Sequence, residues 1–240
     1  MPLSPSEVLL AIAIVTVGAT VQSAVGFGLG LVAAPLLLLI DPRLVPAPLM
    51  TAGVLLTVLM GYRDRQGIDF HSLKFALSGR LLGMAPAALM LSVASQGIFD
   101  LIFAVLVLVA VALSAWGRSL PPTRPRAVLA GAASGFMGTI SGIGGPPIAL
   151  LYQRSHGLQL RGTLAGFFGV GSLLSLLVLS RVGRFGWLEI KLAGVLMPGI
   201  ALGFALSGSL AARMSKTSVR PFILGLSGAA AMTVLIRALS

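Results

Sequence analysis

The chain of 240 residues is 57% hydrophobic and only 10% charged, with a mean hydropathy of +1.02. This composition excludes a soluble globular protein and is typical of a polytopic membrane protein, whose main partner is the lipid bilayer. The formal charge is +11, which in a soluble protein would suggest nucleic-acid binding. Here the 17 Lys and Arg residues lie mostly in short gaps between apolar runs, so they indicate membrane topology and no nucleic-acid partner.

The sequence predicts neither a metal site nor a cofactor site. The chain contains no cysteine, which excludes disulfides, thiolate metal ligands and cysteine nucleophiles. His71 and His156 both lie in polar gaps without a ligand partner three or four residues away, so each is interpreted as a loop residue. The N-terminus lacks a basic region and a small-residue cleavage site, so we expect the first apolar run to be retained.

The first apolar run holds 33 uncharged residues between Glu7 and Asp41. It is too long for one upright spanning helix of about 20 residues and too short for two. The run is therefore predicted to be a long tilted helix, a broken helix, or a hairpin that enters the membrane and returns. Its interruption is polar at first, then spaced by glycine and followed by a proline: Gln22, Ser23, Gly26, Gly28, Gly30 and Pro35.

Three ordinary spans complete the first half, at about 44–62, 72–94 and 98–116, with Trp116 as an interfacial anchor. Arg80 is the one basic side chain well inside an apolar run. A central arginine costs roughly 2.5 to 3.5 kcal/mol on insertion scales, so such a residue tends to face a cavity or a partner. The alternative is that the long Arg80 side chain reaches back to the membrane interface near Lys74.

A basic, proline-rich segment at 118–126 lies almost midway and predicts a linker between two transmembrane repeats, at 1–117 and 127–240. The second half has the same order of elements as the first. It consists of a 27-residue uncharged run at 127–153 and spans at about 162–180, up to residue 212 and up to residue 236.

Superposing the halves with a shift of 116 residues pairs Gly28 with Gly144. The same shift pairs Arg65 and Gly67 with Arg181 and Gly183, in the same loop of each half. This agreement favours an internal duplication. Duplicated membrane halves with interrupted segments in corresponding positions are typical of transporters whose site lies between the repeats.

The long run of the second half gives the strongest indication of a break. Between residues 132 and 149 it holds seven glycine and proline residues and no charge. Glycine costs about 1 kcal/mol and proline about 3 in a helix interior, and a freed backbone group in lipid costs several more. The helix is therefore predicted to break inside the membrane, where its N–H groups would hold an anion. Close helix packing is the alternative, and it accounts better for Gly131 and Gly135 than for the run from Gly144 to Pro147.

The charge distribution distinguishes two topologies. If each long run crosses once, the halves are parallel, and the Lys and Arg residues other than Arg80 divide 10 to 6 in favour of the side with both termini. If each long run enters and returns, the halves are inverted and the division is 5 to 11, with the termini on the poorer side. The inverted arrangement obeys the positive-inside rule better, so the termini are predicted to lie outside and the linker inside.

Two stretches, Gly26–Leu37 and Gly131–Tyr152, resemble the paired glycine-rich signatures of the TauE/SafE family of sulfite exporters. The likeness extends over nearly the whole chain in length, number of apolar segments and central linker. It implies a transporter of sulfur-containing anions, such as sulfite or organosulfonates, in the bacterial inner membrane. It also implies a substrate region at Gly26, Gly28, Pro35, Gly142, Gly144, Gly145, Pro146 and Pro147. This sequence has Gly-Pro-Pro where some members have a longer glycine run, so the anion itself stays open.

The residues themselves favour an anion transporter, because a dianion needs many donors and no Asp or Glu lies in the middle of a span. The same lack of acids argues against a cation transporter. The expected ligands are backbone N–H groups of the two glycine loops, including Gly30, with Gln22, the hydroxyls of Ser23, Thr139 and Ser141, and Arg80 as charge partner. An intramembrane enzyme is disfavoured, since the sequence has no HExxH motif and no Ser–His or Ser–Lys pair at helical spacing.

The sequence thus predicts an all-α polytopic membrane protein of two repeats, each with one glycine-broken or re-entrant segment and three transmembrane helices. Two alternative functions stay open at this point: a non-transporting assembly or scaffold subunit, and a permease for a different small anion. A homodimer is also compatible with the sequence.

Overall fold

The computed structural model describes residues 3–116, 121, 123–152, 157–211 and 216–239, and no strand occurs among them. Residues 118–120 and 122 of the predicted linker, and His156, lie outside the described residues, and the first helix of the second half begins within the predicted linker, at Arg124. The α-helices within the described part are α1 Pro5–Val25, α2 Leu29–Ile40, α3 Ala47–Arg63, α4 Phe70–Val93, α5 Gln96–Trp116, α6 Arg124–Ser141, α7 Gly145–Tyr152, α8 Leu158–Arg181, α9 Trp187–Ala211 and α10 Lys216–Leu239.

Six segments of the described chain are long and apolar enough to cross a membrane, judged by length and composition. They are α1, α3 with the 3-10 turn Pro42–Leu44 before it, α4, α5, α8 and the first 22 residues of α9. The prediction of an all-helical polytopic membrane protein is thereby confirmed.

The first long run breaks between α1 and α2. Helix α1 begins with a capping box in which Ser4 and Glu7 bond each other's backbone N–H groups. It ends at Gly26, whose N–H donates to the Gln22 carbonyl over 2.7 Å. Gly26 and Gly28 have φ angles of 104° and 137°, in the region that disfavours residues with a side chain. The predicted interruption of this run is therefore present, and its glycines are required by the backbone.

The second long run breaks between α6 and α7. Helix α6 ends at Ser141, and Gly142 follows in a left-handed conformation with φ of 74°. The Ser141 hydroxyl accepts a hydrogen bond from the Ile143 N–H over 3.3 Å. Helix α7 then starts with Gly145, Pro146 and Pro147, which is a favourable place for proline because the first N–H groups of a helix have no partner within it. The predicted break is thus confirmed within this run.

The start of α1 and the end of α2 lie at one end of the bundle, since Glu7 is within electrostatic range of Asp41 and Arg43. We call this end of the bundle, with residues 4–7 and 41–46, the Glu7 face. Helix α3 leads from it to the opposite end.

The opposite end, with residues 64–75, 124 and 158–161, is the Asp64 face. Arg124 at the start of α6 stacks on Phe75 at 5.3 Å, and Tyr152 at the end of α7 belongs to the same buried apolar cluster as Leu73 of α4. Helix α6 therefore starts, and α7 ends, beside the start of α4.

Glycines bring two pairs of helices into backbone contact. A methyl group at Gly79 or Gly83 of α4 would overlap a carbonyl of α6, and one at Gly131 or Gly135 of α6 would overlap a carbonyl of α4. The packing interpretation of Gly131 and Gly135 is thus correct. Helices α1 and α9 meet in a similar way, since a methyl group at Gly203 would collide with the Thr16 carbonyl.

Candidate functional site

The two helix breaks meet in the interior. A methyl group at Gly30 would overlap the Gly142 carbonyl, and one at Gly145 would lie 3.0 Å from the Phe27 ring. The breaks enclose a cavity together with α3, α4 and α8. Its lining includes predicted residues from both breaks and from α4: Gln22, Gly28, Gly30, Arg80, Gly142, Gly144, Gly145 and Pro146.

The cavity is small. Its volume is about 60 Å³, well above the roughly 10 to 15 Å³ that a cavity needs to hold one water molecule. This space suits a compact solute such as a small oxyanion.

Arg80 is the charged group of the cavity. Only 2% of the residue is exposed, so its side chain does not reach the membrane interface, and that alternative is wrong. Its two terminal nitrogens lie 3.4 Å from the Ser134 hydroxyl and 3.3 Å from the Ser175 hydroxyl, and Nε has no partner. The guanidinium also stacks on Phe167 at 5.1 Å. Among the described side chains, no carboxylate forms an ion pair with it.

Three glycines make room for this guanidinium group. A methyl group at Gly171 of α8 would overlap Nε, and methyl groups at Gly138 and Gly144 would each lie 3.3 Å from a terminal nitrogen. Ser134 also donates a hydrogen bond to the Gly144 carbonyl, which ties α6 to the break that follows it. The Arg80 side chain is thus held by small neighbours on α6 and α8.

The two breaks differ in the donors that they offer. At α2 the Leu29 N–H donates a hydrogen bond to the side-chain oxygen of Gln22 over 3.1 Å. Gly30 and Leu31 follow in the first turn, and their N–H groups have no partner within the helix. At α7 the second and third residues are Pro146 and Pro147, which carry no N–H. Main-chain donors of a first turn therefore come chiefly from α2.

Six predicted residues lie outside the cavity lining: Ser23, Gly26, Pro35, Thr139, Ser141 and Pro147. Two of the three hydroxyls expected as ligands bond other groups of the protein. Thr139 pairs with Ser175 at 3.0 Å, Ser141 donates to the Met137 carbonyl over 2.8 Å, and the Ser23 hydroxyl is buried without a partner. In a helix interior, a hydroxyl bonds readily to the carbonyl one turn earlier, which explains Ser141.

Several residues near the site were not predicted. Phe27, Leu49, Met50, Thr57, Phe168 and Ser172 also line the cavity, and Ser134 and Ser175 contact Arg80. A serine at 134 inside the glycine-rich run was visible in the sequence, but nothing linked the apolar residues of α3 and α8 to it. His71, interpreted as a loop residue, lies in the first turn of α4. The described residues contain no group of three or more His, Asp or Glu side chains that could hold a metal ion.

Comparison with known proteins identifies a family. Neither the curated proteins nor the solved structures gave a match. The sequence model of sulfite exporter TauE/SafE matches residues 10–234, which is nearly the whole chain and includes both helix breaks. That family consists of membrane permeases. The chain therefore belongs to the TauE/SafE sulfite exporter family.

Proposed function

We propose that this permease transports a small sulfur-containing oxyanion, such as sulfite, and binds it in the cavity between the two helix breaks. The observation that carries the proposal is Arg80, a cation that is 2% exposed and bonded only to serine hydroxyls. Burying a charge without a counter-ion costs several kcal/mol. An anion in the cavity would remove much of that cost, and the Arg80 guanidinium and the first turn of α2 would be its donors.

We further propose that the chain is an inverted repeat, with a first repeat at 1–117, a linker at 118–126 and a second repeat at 127–240. The helix contacts support this division: α1 packs on α9 as α6 packs on α4, and α2 packs on α10 as α7 packs on α5. The pair α1 and α2 also starts and ends at the Glu7 face, and the pair α6 and α7 at the Asp64 face, as expected of re-entrant hairpins. In this arrangement the Asp64 face belongs to the side to which the topology assigns 11 of the 16 Lys and Arg residues other than Arg80, so by the positive-inside rule we assign that side to the cytoplasm of a bacterial inner membrane.

The proposal is tested by flux of labelled sulfite into proteoliposomes that contain the purified protein. Saturable uptake above that of empty vesicles is expected, and competition by unlabelled organosulfonates would show whether larger anions enter the cavity. Arg65→Gln removes an exposed arginine of the Asp64 face. It is the matched control for substitution of Arg80 and should transport sulfite as the parent does. Flux no greater than in empty vesicles would contradict the proposal and favour a non-transporting assembly subunit.

A further inference from the structure

A second cluster of charges lies at the Asp64 face. Its members are Arg63, Asp64 and Arg161, here called the Asp64 cluster. Arg161 bonds both carboxylate oxygens of Asp64, with Nε at 3.1 Å and Nη2 at 3.2 Å. Arg63 bonds the same carboxylate through Nη2 at 2.9 Å. Asp64 is 1% exposed, whereas the side chains of Arg63 and Arg161 are 32% and 25% exposed.

The Asp64 cluster joins both halves of the chain. Arg63 donates to the Ser23 carbonyl of α1 over 2.7 Å and to the Ser207 hydroxyl of α9 over 3.2 Å. It also stacks on Phe204 of α9 at 5.0 Å. With Arg161 on α8, the cluster connects α1 and α3 of the first half to α8 and α9 of the second.

The same region closes one side of the cavity. The break after α1 packs against the first turns of α8: a methyl group at Gly26 would lie 3.6 Å from Arg161 Cα and 3.0 Å from the Leu164 side chain. Phe27, the next residue, lines the cavity. A path from the cavity to the Asp64 face along α8 would therefore lead past Arg161 and Arg63.

We propose that Arg63 and Arg161 form a second binding site for a small oxyanion, and that the Asp64 carboxylate occupies this site while the path to the Asp64 face is closed. A carboxylate is itself a planar anion with two oxygens, so it and an oxyanion compete for the same guanidinium donors. Two guanidinium groups against one carboxylate leave a net positive charge. The Ser23 hydroxyl, buried and unpartnered, lies beside the Ser23 carbonyl that Arg63 bonds. The choice of oxyanion rests on the proposed function.

The second site exists on one face only. With the shift of 116 residues that relates the two halves, Arg63 and Asp64 correspond to Leu179 and Ser180, and Arg161 corresponds to Val45. None of these three side chains carries a charge. The Glu7 face thus has no counterpart of the cluster at the equivalent positions.

The test counts the sulfite ions that bind to the purified full-length protein, measured by equilibrium dialysis of labelled sulfite in detergent. The parent protein should bind one, because Asp64 fills the second site. Asp64→Asn keeps the side-chain shape and removes the charge, so that variant should bind two. Asp64→Asn combined with Arg161→Gln should return to one. Asp41→Asn is the matched control, since it removes an acid whose ion pair with Arg43 lies within one short segment, and it should bind one.

The outcomes separate this inference from the proposed function. If the parent binds none and Asp64→Asn binds one, the cavity proposal fails and the second site stands. If Asp64→Asn binds the same number as the parent, the second site is overturned. If Asp64→Asn is not monodisperse, the sulfite flux of Arg161→Gln in proteoliposomes tests the second site instead. It should lower the maximal sulfite flux about tenfold, the effect of losing one charge-assisted hydrogen bond, with KM unchanged, and an unchanged maximal flux would overturn the inference.

Discussion

Replacing Arg80 with glutamine should weaken sulfite binding without destabilising the empty protein. The guanidinium is held by two long hydrogen bonds, of 3.3 and 3.4 Å, and by stacking on Phe167. A hydrogen bond of a charged group is worth about 1.5 to 3 kcal/mol, with long bonds at the low end, and the stacking is worth about 1 kcal/mol, whereas burying an uncompensated cation costs several. The neutral variant therefore loses little stability and escapes the desolvation cost, so its unfolding temperature without sulfite should equal or exceed that of the parent.

The same substitution should weaken sulfite binding. Loss of a charge-assisted hydrogen bond costs about 1.5 to 3 kcal/mol, or roughly ten- to a hundredfold in Kd. At a sulfite concentration of 100 times the parent Kd, ligand binding stabilises the parent by about 2.7 kcal/mol. The same concentration should stabilise Arg80→Gln by only about 0.4 to 1.4 kcal/mol by the same relation.

Two assays check this prediction. Thermal unfolding with and without sulfite measures the two stabilities, and concentration-dependent flux in proteoliposomes measures KM. Arg65→Gln, which removes an exposed arginine stacked on Tyr62 at 5.1 Å, should behave as the parent in both. The reasoning is refuted if Arg80→Gln keeps the parent KM, or if it lowers the unfolding temperature while sulfite still shifts it by the parent amount.

Three further predictions concern the backbone and the topology. Gly28→Ala should abolish sulfite flux, because the φ of Gly28 is 137° and a methyl group would lie 2.7 Å from the Val21 side chain. Gly97 has open space around it, so Gly97→Ala should transport normally, and equal flux in both variants would contradict the prediction. Gly83→Val should prevent folding, seen as loss of the monodisperse peak in size-exclusion chromatography, because its side chain would enter the α6 backbone, whereas Gly194→Val has free space and should elute as the parent. A C-terminal fusion to a protein that fluoresces only in the cytoplasm should stay dark, and a bright fusion would reject the inverted topology.

The helix breaks could be predicted from the sequence because glycine and proline act locally. A left-handed residue at Gly142 and prolines in the first turn of α7 are properties of a few consecutive residues, and they need no tertiary contact to be recognised. Arg80 was found for a similar reason, since one charge inside an apolar run has few explanations.

The neighbours of these residues could not be predicted, because they depend on which helices meet. Gly171 looks like any small residue of α8 until α4 places Arg80 against it. The orientation of the Ser141 hydroxyl could not be predicted either, because a hydroxyl in a helix can face a cavity or bond the preceding turn with the same sequence pattern. The Asp64 cluster was missed because Arg63, at the end of α3, and Arg161, in the first turn of α8, are distant in sequence.

The glycine contacts also determine which parts can move as units. Where two helix backbones touch at successive turns, no side chains lie between them that could repack, so such helices move together or separate completely. Helix α4 is joined in this way to α6, and α1 to α9, and both pairs combine one helix from each half. The rocking bodies of a transport cycle would then be these mixed pairs rather than the two halves, and their relative rotation would widen the cavity toward one face while narrowing it toward the other.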